Sequence, residues 1–197
     1  MRQEKLNELN KYIEELKTLE ELNVRQVSKG FIEVLEAEYR LNNGKTITRD
    51  RITKNHKDGS AAIALPVTKD GNVILTIQPR VFSELTVGIE IPAGLVEEGE
   101  EPIKAAEREL LEETGLRANK YIHLAKCYQD QACSKAISNA YLALECEKIE
   151  EQNLDKDEYI KCFECTFEEA LELVDMGYIV GAQAQLTLER AKKYLLK

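Results

Sequence analysis

Residues 94–116 read GLVEEGEEPIKAAERELLEETGL, a stretch whose glycines and carboxylates recur at fixed spacings. Gly94 is followed by five residues and Glu100, then by seven residues and Arg108-Glu109-Leu110-Leu111-Glu112-Glu113-Thr114-Gly115-Leu116. The pattern is that of a loop opening into a helix. Pro102 suits the first helical turn, where its missing N–H costs nothing, and Gly115 supplies the left-handed residue that ends many helices, so the helix is expected to run to about Thr114. Ile103, Ala106 and Leu110 recur at helical spacing and are expected to face the core. Glu109, Glu112 and Glu113 then share the opposite face within reach of one another. Like charges so placed destabilise an isolated helix by roughly 0.2–0.5 kcal/mol per pair, so something positive should offset them. Arg108 can pair with Glu112 one turn on, but it cannot neutralise three glutamates. Hard cations that gather carboxylate oxygens can: Mg²⁺, Mn²⁺ or Ca²⁺. The alternative is a solvated acidic face.

The segment matches the Nudix box, G-x5-E-x7-R-E-U-x-E-E-x-G-U with U aliphatic, at each fixed position, and the chain therefore resembles a Nudix hydrolase. Upstream, Glu90-Ile91-Pro92-Ala93-Gly94 resembles the E-x-P-A-G lead-in of the branch that hydrolyses ADP-ribose and other nucleotide sugars. The resemblance implies an α/β/α sandwich with a mixed sheet and a loop-helix-loop site for Mg²⁺ or Mn²⁺. Carried onto this chain, the metal donors are the Ala93 carbonyl, Glu109 and Glu113, with Glu112 as ligand or base. Arg108 is the orienting partner of the box glutamates, since a guanidinium bonds two carboxylates in a fixed geometry. Glu100, near the helix start, suits a structural or outer role.

The same branch often takes its general base from an acidic loop well beyond the box. Here that segment is Leu154-Asp155-Lys156-Asp157-Glu158-Tyr159-Ile160. Glu158 is the first choice as base, Asp157 the second, and Glu112 the competitor within the box. On the substrate side, Arg80 of Gln78-Pro79-Arg80 matches a Q-x-R segment whose arginine approaches phosphates or ribose, and Glu90 of the lead-in stands with it. Arg49 and Arg51 resemble arginines of an N-terminal strand region that reach an active site across a dimer. One marker departs from the pattern. ADP-ribose hydrolases typically carry a proline about fifteen residues past the box, where this chain has Gln129-Asp130-Gln131-Ala132-Cys133.

A length of 197 residues with 43% apolar content allows one domain with a short extension. We read 1–58 as an N-terminal helix and strand extension that can serve as a dimer element, and 59–197 as the hydrolase domain. Residues 3–22 set Leu6, Leu9, Ile13 and Leu16 on one helical stripe, to be buried on the core or in a homodimer contact. Alternating residues from Leu35 to Leu41 and from Thr46 to Ile52, joined at Asn42-Asn43-Gly44, predict an antiparallel strand pair. Further strands are expected at 60–67, 73–78, 86–91, 121–128, 138–146 and 159–165. Thr166-Phe167-Glu168-Glu169 is a capping box opening a helix toward Gly177, and a last amphipathic helix spans about 182–196.

A net charge of −9 disfavours nucleic-acid or anionic-membrane binding through a broad basic surface. It leaves anionic substrates open, because a bound divalent cation inverts the local field. No apolar run is long enough to span a membrane and the charged N-terminus is unlike a signal peptide, so a cytoplasmic location is expected. Five cysteines between 127 and 165 suit small apolar residues near strands better than a disulfide framework. The expected activity is Mg²⁺-dependent hydrolysis of the pyrophosphate bond of a nucleoside diphosphate sugar, ADP-ribose to AMP and ribose 5-phosphate first. ADP-glucose or GDP-mannose hydrolysis, or a silent nucleotide-sugar sensor, are the alternatives.

Overall fold

The computed structural model describes residues 18–54, 57–84, 86–156 and 158–196, and the chain divides into two compact units. One unit comprises residues 1–59 together with 130–136; the other comprises 60–129 and 137–197.

In the first unit, β1 (Thr18–Ser28), β2 (Ile32–Leu41) and β3 (Thr46–Lys54) form an antiparallel sheet in that order. The β2–β3 pair is the expected hairpin, with Arg40 opposite Thr46. Its turn works because Gly44 adopts φ 81°, a left-handed conformation open to glycine, and Lys45 N–H donates to Asn43 Oδ1 at 3.0 Å. β1 corrects the expected helix over 3–22. Residues 18–22 belong to a strand whose ladder with β2 runs from Thr18 opposite Leu41 to Ser28 opposite Val34. Leucine and glutamate favour a helix only weakly, and long-range pairing overrides such a preference. Residues 3–17, with the stripe Leu6, Leu9, Ile13 and Leu16, lie outside the described residues. Within the same unit the 130–136 segment runs beside β3, where Ile52 N–H donates to the Cys133 carbonyl at 2.7 Å.

The second unit is built on a mixed sheet in the order β11 (Lys161–Cys165), β5 (Val73–Pro79), β4 (Ala61–Thr68), β10 (Ile137–Lys148), β8 (Leu116–Arg117). β6 (Val87–Glu90) pairs with β5, β7 (Ala93–Leu95) with β4, and β9 (Lys120–Tyr128) with β10. β4 and β10 run parallel while the other pairs are antiparallel. β4 reads AAIALPVT, nearly all apolar, because both its faces are covered. Ile63, Leu65 and Val67 point into a core completed by Ile179, Leu188 and Ala191, on the side of helices α2 (Phe167–Asp175) and α3 (Ala182–Leu195). Ala62 and Ala64 point the other way, against Ala105, Ala106 and Leu110 of helix α1 (Pro102–Thr114). Alanine on both sides of that contact lets α1 sit close on the sheet. The result is the expected α/β/α sandwich. Burying Leu110, fully inaccessible, contributes about 1.5–3 kcal/mol.

Candidate active site

α1 begins at Pro102 after Glu101 and ends at Gly115, whose φ of 69° and N–H bond to the Leu111 carbonyl form the expected left-handed cap. Ala105, Ala106 and Leu110 are buried against the sheet. The three box glutamates, expected together on the opposite face, stay within reach of one another but differ in burial. Glu112 keeps 36% of its side chain exposed and Glu109 13%. Glu113 is buried to 2%, its Oε2 accepting the backbone N–H of Ala93 in β7 at 3.2 Å. A residue four positions from Glu109 follows it around the helix by only a small angle, and here that angle carries it under β7.

Arg108 is the hub of the loop-helix motif. Nε and Nη2 bond the two oxygens of Glu100, each at 3.1 Å, and Nη1 bonds Glu109 at 2.6 Å and Glu112 at 3.1 Å. Nη2 also donates to the Leu95 carbonyl at 3.0 Å, tying the helix to the loop that enters it. These carboxylates hold the guanidinium pKa well above its ordinary value, the bond to Glu100 leading and burial opposing. Glu100 has the structural role expected of it, since it also accepts the Glu97 N–H at 2.9 Å.

Gly94 explains the first position of the box. A Cβ there would stand 2.0 Å from the Glu109 carboxylate, so the carboxylate lies against bare backbone. Burial raises the Glu109 pKa, against the opposing bond from Arg108. It pushes the Glu113 carboxyl up to about 8, helped by the charges of Glu109, Glu158 and Glu90 and opposed by the Ala93 N–H. Glu158 from the 154–160 loop is therefore close enough to act on both box carboxylates and on Arg80. Its Oε2 accepts the Asp155 N–H at 3.0 Å. Asp157 lies outside the described residues.

Arg80 and Glu90, expected on the substrate side, pair with each other: Nε to Oε1 at 2.7 Å and Nη2 to Oε2 at 2.8 Å. The Gln78 amide supports Glu90 at 3.3 Å. Gly88 makes room, since a Cβ there would lie 2.1 Å from Glu90 Oε1. This pair lines a cleft of about 380 Å³ with Ala93, Gln129 and residues 181–184. The wall from the start of α3 had no signal in the sequence, because Gly181-Ala182-Gln183 carries no motif and reaches the cleft only through the fold. Arg49, exposed, and Arg51, partly buried, lie on β3 of the first unit.

Among the described residues no three acidic, histidine or cysteine side chains converge as a preformed metal cage. The donors nonetheless fit a hard divalent cation. They are oxygens only, and a buried carboxyl crowded by other carboxylates is the arrangement that such a cation relieves.

A model of the NUDIX domain matches residues 57–189. The chain belongs to the NUDIX family. This Nudix chain is 35% identical over 178 residues to an ADP-ribose pyrophosphatase of Bacillus subtilis (strain 168), covering 88% of the chain and 94% of that protein. It is 32% identical over 170 residues to a methanol dehydrogenase activator of Bacillus methanolicus, covering 85% and 89%. A solved structure described as an ADP compounds hydrolase superposes with a TM-score of 0.77 at 23% identity, covering 91% of this chain and 95% of that one, which agrees in fold. The enzyme class expected from the box, a Nudix pyrophosphohydrolase, stands on this membership and the first of these relatives.

Proposed function

We propose that the protein is a Mg²⁺- or Mn²⁺-dependent hydrolase of nucleoside diphosphate sugars, with ADP-ribose cleaved to AMP and ribose 5-phosphate. The observation that carries this reading is the buried Glu113 beside Glu109 and the Ala93 backbone, next to the Arg80–Glu90 cleft. Similarity to an ADP-ribose pyrophosphatase over most of both chains supports the substrate. Glu109, Glu113 and the Ala93 carbonyl would hold the cation, with Glu112 beside them. When bound, a divalent cation neutralises diphosphate charge and activates water.

The remaining work falls to the chain itself. Glu158 takes a proton from the attacking water, a contribution of typically ~10²–10⁴-fold; Asp157 and Glu112 are the competing bases. Water oxygen bonds to phosphorus, the bridging P–O bond breaks, and the departing phosphate carries the released charge. Arg80 is held in its fork geometry by Glu90 and turns that guanidinium to the diphosphate, which it can bond bidentately. Arg108 keeps Glu109 and Glu112 oriented while Glu100 anchors it. The protein acts as a cytoplasmic homodimer in which Arg49 and Arg51 serve the partner protomer's substrate.

The test is Mg²⁺-dependent product release from ADP-ribose, ADP-glucose, GDP-mannose, NADH and dinucleoside polyphosphates, with Glu113→Gln as control. Preferred ADP-ribose cleavage, lost in the control, is expected. Preference for another compound moves the substrate, and nucleotide binding without turnover turns the reading to a sensor. Similarity to a dehydrogenase activator favours a second reading, in which the protein also acts on a dehydrogenase. Val81, Phe82, Met176 and Val180 are exposed apolar residues that such a partner could cover. Unchanged rates of a methanol dehydrogenase on adding the protein would dismiss it.

A further inference from the structure

The last four carbonyls of a helix find no partner inside it. In α1 each is met. Leu111 O accepts from Gly115 N at 2.7 Å, Glu112 O from Asn153 N at 2.9 Å and Thr114 O from Lys148 Nζ at 3.2 Å. Glu113 O accepts from the side-chain amide of Gln152. The Gly115 carbonyl in turn accepts Ile149 N at 3.0 Å. Three of these four partners lie in the short segment 148–153, and a Cβ on Gly115 would meet the Glu150 carbonyl at 2.1 Å. The final glycine of the box thus permits a close approach as well as a left-handed cap.

Gln152 differs from its neighbours in this cap. Its Nε2 also donates to the Ile160 carbonyl at 3.3 Å. Ile160 is 4% exposed and closes the 154–160 loop that carries Glu158. A carboxamide has two N–H donors, so one group can serve both carbonyls. The amide spans from the backbone of Glu113, on the metal side of the site, to the far end of the loop holding the base. Asn153 N–H, bonded to Glu112, pins the near end. The Gln152 amide also reaches Cys162 Sγ at 3.7 Å, whereas ordinary capping would require only the bond to Glu113.

We propose that Gln152 is a positioning residue, whose amide sets the distance between the box glutamates and Glu158. The inference rests on the hydrolase reading above and deepens it. Without the amide the Glu113 and Ile160 carbonyls lose a shared partner, the loop is free to move outward, and the base leaves hydrogen-bond reach of the water.

The test compares the full-length wild type with Gln152→Met, which keeps the shape without donors, Gln152→Lys, which retains a donor, Glu158→Gln, and the double variant Q152M/E158Q. Hydrolysis of ADP-ribose with Mg²⁺ and amide hydrogen exchange are followed in each. Gln152→Met is expected to lower kcat roughly 10–100-fold, the scale of a small misplacement of a catalytic group, with KM little changed. Gln152→Lys should recover most of it. In the Glu158→Gln background the same substitution should add little, because residues acting as a unit are non-additive. Exchange should quicken across 154–160 and stay as in the wild type across 161–165. Where Gln152→Met does not fold, Gln152→Glu, which withdraws the donors within the same shape, carries the same expectation. Wild-type kcat in Gln152→Met, or a full additional loss in the double variant, overturns the proposal. If the wild type cleaves no nucleotide, the hydrolase reading fails, and exchange alone decides the strut: quickened exchange supports it and unchanged exchange overturns it.

Discussion

Two residues carry most of the electrostatic argument. Gly94 leaves the space in which the Glu109 carboxylate lies, so Gly94→Ala forces that carboxylate away by more than an ångström. Activity should fall on the order of 10²-fold, the cost of such a misplacement, while circular dichroism shows an intact fold. Glu113 predicts a pH dependence of the metal-free protein. Its folded pKa is raised from 4.5 to about 8, so between those values the folded state keeps a proton that the unfolded chain has released. Stability from this group is fully present below about pH 4.5 and is lost as pH rises through about 8, an effect on the order of a few kcal/mol. Glu109, also raised by burial, acts in the same direction. Chemical denaturation in EDTA across this range should show the decline, and Glu113→Gln should flatten it.

At the scale of elements, boundaries written in local chemistry were readable. The Thr166 hydroxyl accepts the Glu169 N–H at 3.2 Å and the Glu169 carboxylate accepts the Thr166 N–H at 2.7 Å, the capping box that the four residues announced. Thr166→Ala should cost about 1 kcal/mol. In a protein of this size that corresponds to a fall in Tm of about 2–4 °C by calorimetry, with the hydrolytic rate at 25 °C unchanged. α1 likewise starts at its proline and ends at its glycine. The misread element was β1, where Leu and Glu spacing resembles an amphipathic helix and the deciding interaction is pairing with β2. β7 and β8 were not anticipated, since three and two residues are too few to show a period.

For the molecule as a whole, the proposed homodimer predicts a single species of twice the monomer mass by light scattering at micromolar concentration; a monomer would remove the cross-protomer role of Arg49 and Arg51. The sequence by itself determined the local chemistry: the box glutamates, the arginine among them, the capping residues and the all-apolar central strand. These depend on spacing along the chain or on the chemistry of one residue, which folding does not alter. Only the tertiary structure decided that Glu113 is buried while Glu112 is not, that Arg80 is held by Glu90, that α3 walls the cleft and that segment 148–153 caps the box helix. Each of those joins residues distant in sequence, and burial and partnership are properties of what packs around a side chain, which no local pattern encodes.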